Sequence, residues 1–380
     1  MKIEEFKSHF VSGCDSDCAS GTRGIHLNNS GQAPVPDVFR DLAKHWIDRS
    51  YEEGALCSME GWTQIDQTRK KLAKFLGATP EETALFVTTA SAISQAAFGI
   101  PLKNGDEILT WDQEYPSNFY PWRVACERSG AKLIQISSKL DTTPAQSLLD
   151  RVTDKTKVIA VSWVQYQAGA VTDLKAISTA LKGRDIWLVA DVIQGVGVRP
   201  FDFHDSGFDI ACGGSHKFLC SSFGGAYMLI KKDRMNSLSP VEVGAMTYGT
   251  PDTEKSFTNQ PKSDATRFEP GSKAVIEIIG MGATLDIFAA FGVQNIFQEA
   301  SRLASKLAEG LRTMGFEVLH PDGPILNFTT KDARHLERIA ATLTANRISF
   351  AKRGPGIRLS THAFNTDEQI MHTLAVLQQT

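Results

Sequence analysis

The run Ile186-Trp187-Leu188-Val189-Ala190-Asp191-Val192-Ile193-Gln194 decides how this chain folds. Five apolar residues in succession read as a strand buried on both faces, the pattern of a parallel sheet covered by helices. That strand delivers a carboxylate, Asp191, at its end. Twenty-six positions on, from 191 to 217, a second apolar run, Phe208-Asp209-Ile210-Ala211, leads into Gly213-Gly214-Ser215-His216-Lys217. Carboxylates and ammonium groups are seldom buried unless paired or functional.

Further strand-like runs flank this pair: Ala84 to Val87, Glu107 to Trp111, Lys132 to Ile136, Val158 to Trp163 and Ala226 to Ile230. Stretches with helical spacing, such as 118–129 and 174–181, separate several of them. Such alternation predicts an α/β fold with a mainly parallel sheet. The runs at 208 and 226 follow without an intervening helix, so one strand there is expected to be antiparallel. Residues 233–270 show no period, a length of irregular chain that is usually functional or inter-domain. Beyond it the spacing predicts helices over 274–296, 300–314 and 333–346, strands at 316–319, 325–328 and 357–360, and a closing helix from 367. The expected organisation is a large domain over 20–260 and a smaller α+β domain over 261–380, with residues 1–19 joining the latter.

Composition excludes several classes. The 380 residues are 42% hydrophobic and 22% charged, ordinary for a globular protein. A net charge of −3 gives no global field for nucleic acid or anionic membrane. No apolar signal core opens the chain and no apolar stretch suits a bilayer span, so a soluble cytoplasmic protein is expected. Six cysteines do not make a disulfide scaffold at this length. Cys14 and Cys18 lack a second Cys/His pair at comparable spacing, so no metal is expected there and an exposed loop is. No strand is followed by a Gly-x-Gly-x-x-Gly turn, which counts against a dinucleotide.

One chemistry needs both buried charges. With pyridoxal 5′-phosphate (PLP), a lysine forms a Schiff base and an acid partners the pyridinium nitrogen. Lys217 and Asp191 suit these parts, although Asp191 also reads as a helix N-cap. Gln194 could bond the ring's phenolic oxygen. Ligands of open α/β sheets bind beyond the carboxyl ends of strands. Past Val87, the segment Thr88-Thr89-Ala90-Ser91 opens a helix and could cradle a phosphate, or Ser91 could be an ordinary cap. Tyr115 lies in the loop after 107–111, where a ring can cover a flat cofactor. His216 could contact phosphate or substrate. Arg358, between Ile357 and Leu359, suits bidentate grip of a carboxylate or a surface salt bridge.

Taken together, Ala190-Asp191-Val192-Ile193-Gln194-Gly195, Ser215-His216-Lys217, Arg267-Phe268-Glu269-Pro270-Gly271-Ser272 and Arg358-Leu359-Ser360-Thr361-His362-Ala363-Phe364-Asn365-Thr366 resemble the class V aminotransferase family. That family includes cysteine desulfurases, selenocysteine lyases and isopenicillin N epimerase-like proteins. With Leu27-Asn28-Asn29-Ser30-Gly31, the resemblance covers nearly the whole chain. It implies a type I PLP fold with a seven-stranded sheet and a homodimer with shared active sites. It implies Lys217 as the Schiff-base lysine, Asp191 at the pyridine nitrogen, Gln194 at the phenolic oxygen and Tyr115 in place of a stacking histidine. It further implies Ala90, Ser91 and His216 at the phosphate, Ser272 reaching it from the partner subunit, and Arg358 and Asn29 on the substrate.

Three departures bear on the reaction. Desulfurases of this group carry a persulfide-forming cysteine on a loop before the arginine motif, and residues 348–356 hold none. Tyr166 stands where relatives have an asparagine near the ring oxygen, more like the epimerase-like branch. Gly214 replaces a serine three before the lysine. The expectation is epimerase-like or C–S lyase chemistry. The alternatives are a true aminotransferase, a desulfurase using another thiol such as Cys57, or a binding protein that kept the fold.

Overall fold

The computed structural model describes residues 1–10, 24–248, 260–319 and 323–380; Cys14 and Cys18 lie outside them. The first part of the chain holds helices α1 (Ile3–Ser8), α2 (Asp37–Glu53), α3 (Ser58–Phe75), α4 (Thr89–Gly99), α5 (Tyr120–Ser129), α6 (Ala145–Leu149), α7 (Leu174–Ala180) and α8 (Phe203–Ser206). Among them run strands β1 (Ile25–His26), β2 (Thr83–Phe86), β3 (Glu107–Trp111), β4 (Lys132–Ile136), β5 (Thr156–Ser162), β6 (Trp187–Asp191), β7 (Ile210–Gly214) and β8 (Ala226–Ile230). The remainder holds α9 (Val275–Phe291), α10 (Val293–Thr313), β9 (Glu317–Leu319), β10 (Ile325–Thr329), α11 (Ala333–Ala345), β11 (Ile348–Ser349), β12 (Ala351–Arg353), β13 (Gly356–Ser360) and α12 (Asp367–Leu377).

Seven strands form one sheet in the order β2-β8-β7-β6-β5-β3-β4. All neighbours are parallel except β8, which is antiparallel to both β2 and β7. The α/β reading and the antiparallel strand expected near 226 are both found. Strand β6 shows why the sheet is covered on both faces. Trp187 and Val189 enter the core beneath α4 and α5, while Leu188 and Ala190 enter the opposite core beneath α2, α3, α7 and α9. A second sheet, β12-β13-β10-β9, is wholly antiparallel and packs on α10, α11 and α12. Among the described residues no single helix is long and apolar enough to cross a membrane.

The helices expected over 274–296 and 300–314 are redrawn. Gly292, at φ +93°, breaks the chain between α9 and α10, and their axes bend by 82°. A periodicity reading places the break after the apolar run, but α9 is apolar nearly all round and carries no amphipathic stripe to mark its end. Helices α2 and α3 were not expected; their apolar positions are sparse among charges.

The N-terminus packs far from its sequence neighbours. Phe6 and Phe10 stack with Phe288, Phe291 and Phe364 around His362, whose Nε2 bonds the Phe218 carbonyl at 3.0 Å. The neutral ring must donate from Nε2 to do so, and burial lowers its pKa to about 3.

A buried ion group fixes the edge of the large sheet. Arg69 of α3 donates twice to Glu269 and once to the Thr83 carbonyl at 2.9 Å. Glu269 also accepts from the Leu85 amide at 2.7 Å and faces Lys273 Nζ at 2.8 Å. Removing one partner of a buried pair strands the other charges out of water. Glu269→Ala should therefore destabilise the protein by about 3–5 kcal/mol, read as a lowered urea midpoint.

Candidate functional site

Parallel β6 and β7 end side by side, with Asp191 in register with Cys212. Their carboxyl ends open on a cleft of about 420 Å3 lined by Asp191, Gln194, Lys217, Tyr115 and Arg358. The lysine comes from the turn after β7, which is held at several points. Ala33 N–H donates to the His216 carbonyl at 2.9 Å, and Cys220 N–H to that of Lys217 at 2.8 Å. Cys220 sits at φ +51°, a left-handed conformation that non-glycine residues adopt at a cost. Gly197, at φ +97°, lies against the backbone of Phe218 and Leu219, and a Cβ there would come within 2.4 Å.

The two charges modify each other. Asp191 is 4% exposed and accepts from the Ile193 amide at 3.0 Å. Burial raises its pKa to about 6, against the lowering effects of that bond and of Lys217. Lys217 is 8% exposed, and its pKa falls to about 8 through burial, helped by Arg358 and Arg353 and opposed by Asp191. Its Nζ lies 5.2 Å from the centre of the Tyr115 ring, which meets Tyr166 edge-on at 5.1 Å.

The remaining expected residues divide. Ala90 and His216 line the cleft. Burial, then Lys217, lowers the His216 pKa to about 4, so the ring is neutral and cannot act as a cation. Ser91 does not line it. Its hydroxyl bonds Thr88 in a reciprocal cap of α4, and Thr88 with Thr89 takes the position facing the cleft. Ser272 lines a neighbouring cleft beside Ser91. Asn29 is buried, donates to the Ser360 carbonyl at 2.8 Å and does not line the cleft. Asn28, not Asn29, accepts from the Arg358 guanidinium, at 3.0 Å. Arg358 is 1% exposed and also donates to the Tyr166 carbonyl at 2.7 Å. Ser215 is spent on the Ser222 and Gly225 carbonyls.

Sequence reading missed three residues. Thr89 was passed over for its neighbours. Arg353 lines the cleft from β12. Glu114 lies buried behind Tyr115, where its carboxylate accepts from the Ser162 amide at 2.6 Å, the Ser162 hydroxyl, Gln165 and Asn118. Burial raises its pKa to about 7. Only the position of Glu114, directly before Tyr115 at a strand end, could have signalled it.

The residues fit PLP. Thr89 Oγ1, Gln194 Oε1 and Arg358 Nε are buried polar atoms with no protein partner, and all three residues line the one cleft. Such atoms are rare unless something else satisfies them. A hydroxyl at a helix N-terminus suits phosphate, an amide suits a ring hydroxyl, and a guanidinium suits a carboxylate. Among the described residues no group of three or more His, Cys, Asp or Glu could hold a metal.

Comparison with known proteins agrees. Residues 27–370 match the family model described as Aminotransferase class-V. An uncharacterized aminotransferase, YcbU, of Bacillus subtilis is 24% identical over 86% of this chain and 87% of its own length. A probable cysteine desulfurase of Methanothermobacter thermautotrophicus is 22% identical over 91% of this chain and 92% of its own. The solved complex of the cystine C–S lyase C-DES with its reaction product cysteine persulfide has the same fold, with a TM-score of 0.87 at 21% identity over 94% of this chain and 98% of that one. The chain thus belongs to the class V aminotransferase family of PLP-dependent enzymes.

Proposed function

We propose that the protein acts at Cα or Cβ of an α-amino acid, by C–S lyase or epimerase-like chemistry, without passing sulfur to a cysteine of its own. One observation carries this reading. Where desulfurases of this group carry a loop cysteine, β12 and β13 are joined by the two residues Gly354-Pro355, with Gly354 at φ +53°. Among the described residues no cysteine lines the cleft, and Cys57, Cys126, Cys212 and Cys220 are all buried.

When bound, PLP supplies an electron sink for charge developing at Cα. The protein's own groups divide the rest of the work. Lys217 would hold the cofactor through Nζ, and as a free amine it would take up and return the Cα proton there. With a pKa near 8, part of its population is uncharged at neutral pH. Asp191, with a pKa near 6, is mostly ionised there and favours a protonated ring nitrogen. Gln194 Nε2 donates to the Ser30 carbonyl, which leaves its unpartnered Oε1 to accept from the ring hydroxyl. Thr89, Ala90 and His216 take the phosphate, and Arg358 grips the substrate carboxylate.

A homodimer with Ser272 contributed across it is part of the same reading. Exposed Val87 and Phe223 beside the cleft support it. The packing of α9 with α2 and α3 supports a domain boundary near Gly292, later than residue 260.

Supplied with PLP, the purified protein should show a borohydride-reducible absorption band that Lys217→Ala abolishes; absence of the band would refute the reading. Capture of PLP by the apoprotein should speed up about tenfold per pH unit below pH 8 and level off above it, because the uncharged amine attacks. Stopped-flow absorbance at pH 6 to 9 checks this. Arg358→Gln should weaken amino-acid binding about a hundredfold, measured by spectral titration. A panel of L- and D-amino acids scored for pyruvate, sulfide, keto acid and Cα deuterium exchange separates the outcomes. Stoichiometric retention of sulfur on the protein would overturn the thiol-free assignment.

A further inference from the structure

We infer that the substrate of this site carries a second anionic group at the end of its side chain, and that Arg353 receives it. The inference rests on the reading above, in which Arg358 takes the α-carboxylate.

The hairpin geometry puts two guanidinium groups on one face. Ala351 of β12 is in register with Arg358 of β13, and Arg353 with Gly356. Directly paired residues of an antiparallel ladder share a face, and residues two apart on a strand share it too. Arg353 is therefore the diagonal neighbour of Arg358, and both line the cleft. The residue between Ala351 and Arg353 on β12, Lys352, points the other way and is neutralised by Glu337 at 2.5 Å. Arg353 has no such acid among the described residues. Its only side-chain bond there is from Nη1 to the Lys352 carbonyl, at 2.9 Å.

The placement is built rather than incidental. Asn327, itself buried, donates through Nδ2 to the Arg353 carbonyl at 2.8 Å and to the Gln167 carbonyl at 3.2 Å. That bridge ties the backbone of Arg353 to the turn bearing Tyr166. Apart from the groups assigned to the cofactor, Arg353 and Arg358 are the charged side chains that line the cleft, and its one lining carboxylate, Asp191, is committed to the ring nitrogen. Arg353 also acts against the charged forms of both Arg358 and Lys217, so its field reaches the reacting centre. A single α-carboxylate satisfies one guanidinium. An acidic side chain satisfies the other, and an exposed arginine at the cleft mouth can receive it without burying an unpaired charge.

Isosteric pairs isolate that charge. The PLP-loaded full-length protein is titrated with L-aspartate against L-asparagine, and L-glutamate against L-glutamine, following the absorption change. At least one acid should bind about ten- to a hundredfold more tightly than its amide. In Arg353→Gln that ratio should collapse toward one, and Arg353→Lys should restore part of it. Equal affinities for acid and amide in the unaltered protein, no response to either acid, or a uniform weakening by Arg353→Gln would overturn the inference. The absorption band before any amino acid is added tests the cofactor reading separately and reports that each variant has folded.

Discussion

Two strands buried on both faces end in opposite charges, and the site follows from the need to keep those charges out of water together. Alone, a buried Asp191 would hold its proton and a buried Lys217 would lose its own. Lining one cleft, each partly offsets what burial does to the other, leaving both near the point of ionisation at neutral pH. Neither group could be tuned this way on a solvated loop, where water would screen the pair. The parallel sheet with a core on each face is thus the condition for the chemistry, since it brings two strand ends into one dry corner.

The surroundings of that corner are held by hydrogen bonds that never touch substrate. Glu114 gathers four donors from two loops and sets where Tyr115 begins. The Thr88–Ser91 cap occupies Ser91 and so leaves Thr89 to face the cleft. Asn28 and the Tyr166 carbonyl hold the Arg358 guanidinium in place at the cleft. Preorganised donors of this kind need not be rearranged when a ligand binds.

Much of this was legible in the sequence. All seven strands of the large sheet were read from apolar runs, and Asp191, Gln194, Lys217 and Arg358 from charges or amides placed at strand ends or within apolar alternation. What was not legible depends on which of two neighbours turns inward. Asn28 against Asn29, and Thr89 against Ser91, are choices made by the local turn, and neither composition nor period distinguishes such pairs. Arg353 was hidden for another reason: its partner Arg358 is five residues away and becomes a neighbour only through the hairpin. Helices α2 and α3 were missed because most of their faces are charged, and the break at Gly292 because α9 has no polar face to lose.

The aromatic pile around His362 has a consequence for how the protein is made. Its members come from residues 6 and 10 at one extreme and 362 and 364 at the other, and the His362 ring bonds the carbonyl beside Lys217. During synthesis the large sheet can assemble as its strands emerge, but the support behind the lysine waits for residue 362 to follow them. Until then Phe10 lacks His362 and Phe364, although Phe6 can already pack on Phe288 and Phe291. The segment bearing Phe6 and Phe10 therefore keeps part of its apolar surface uncovered until residues 362 and 364 have been made.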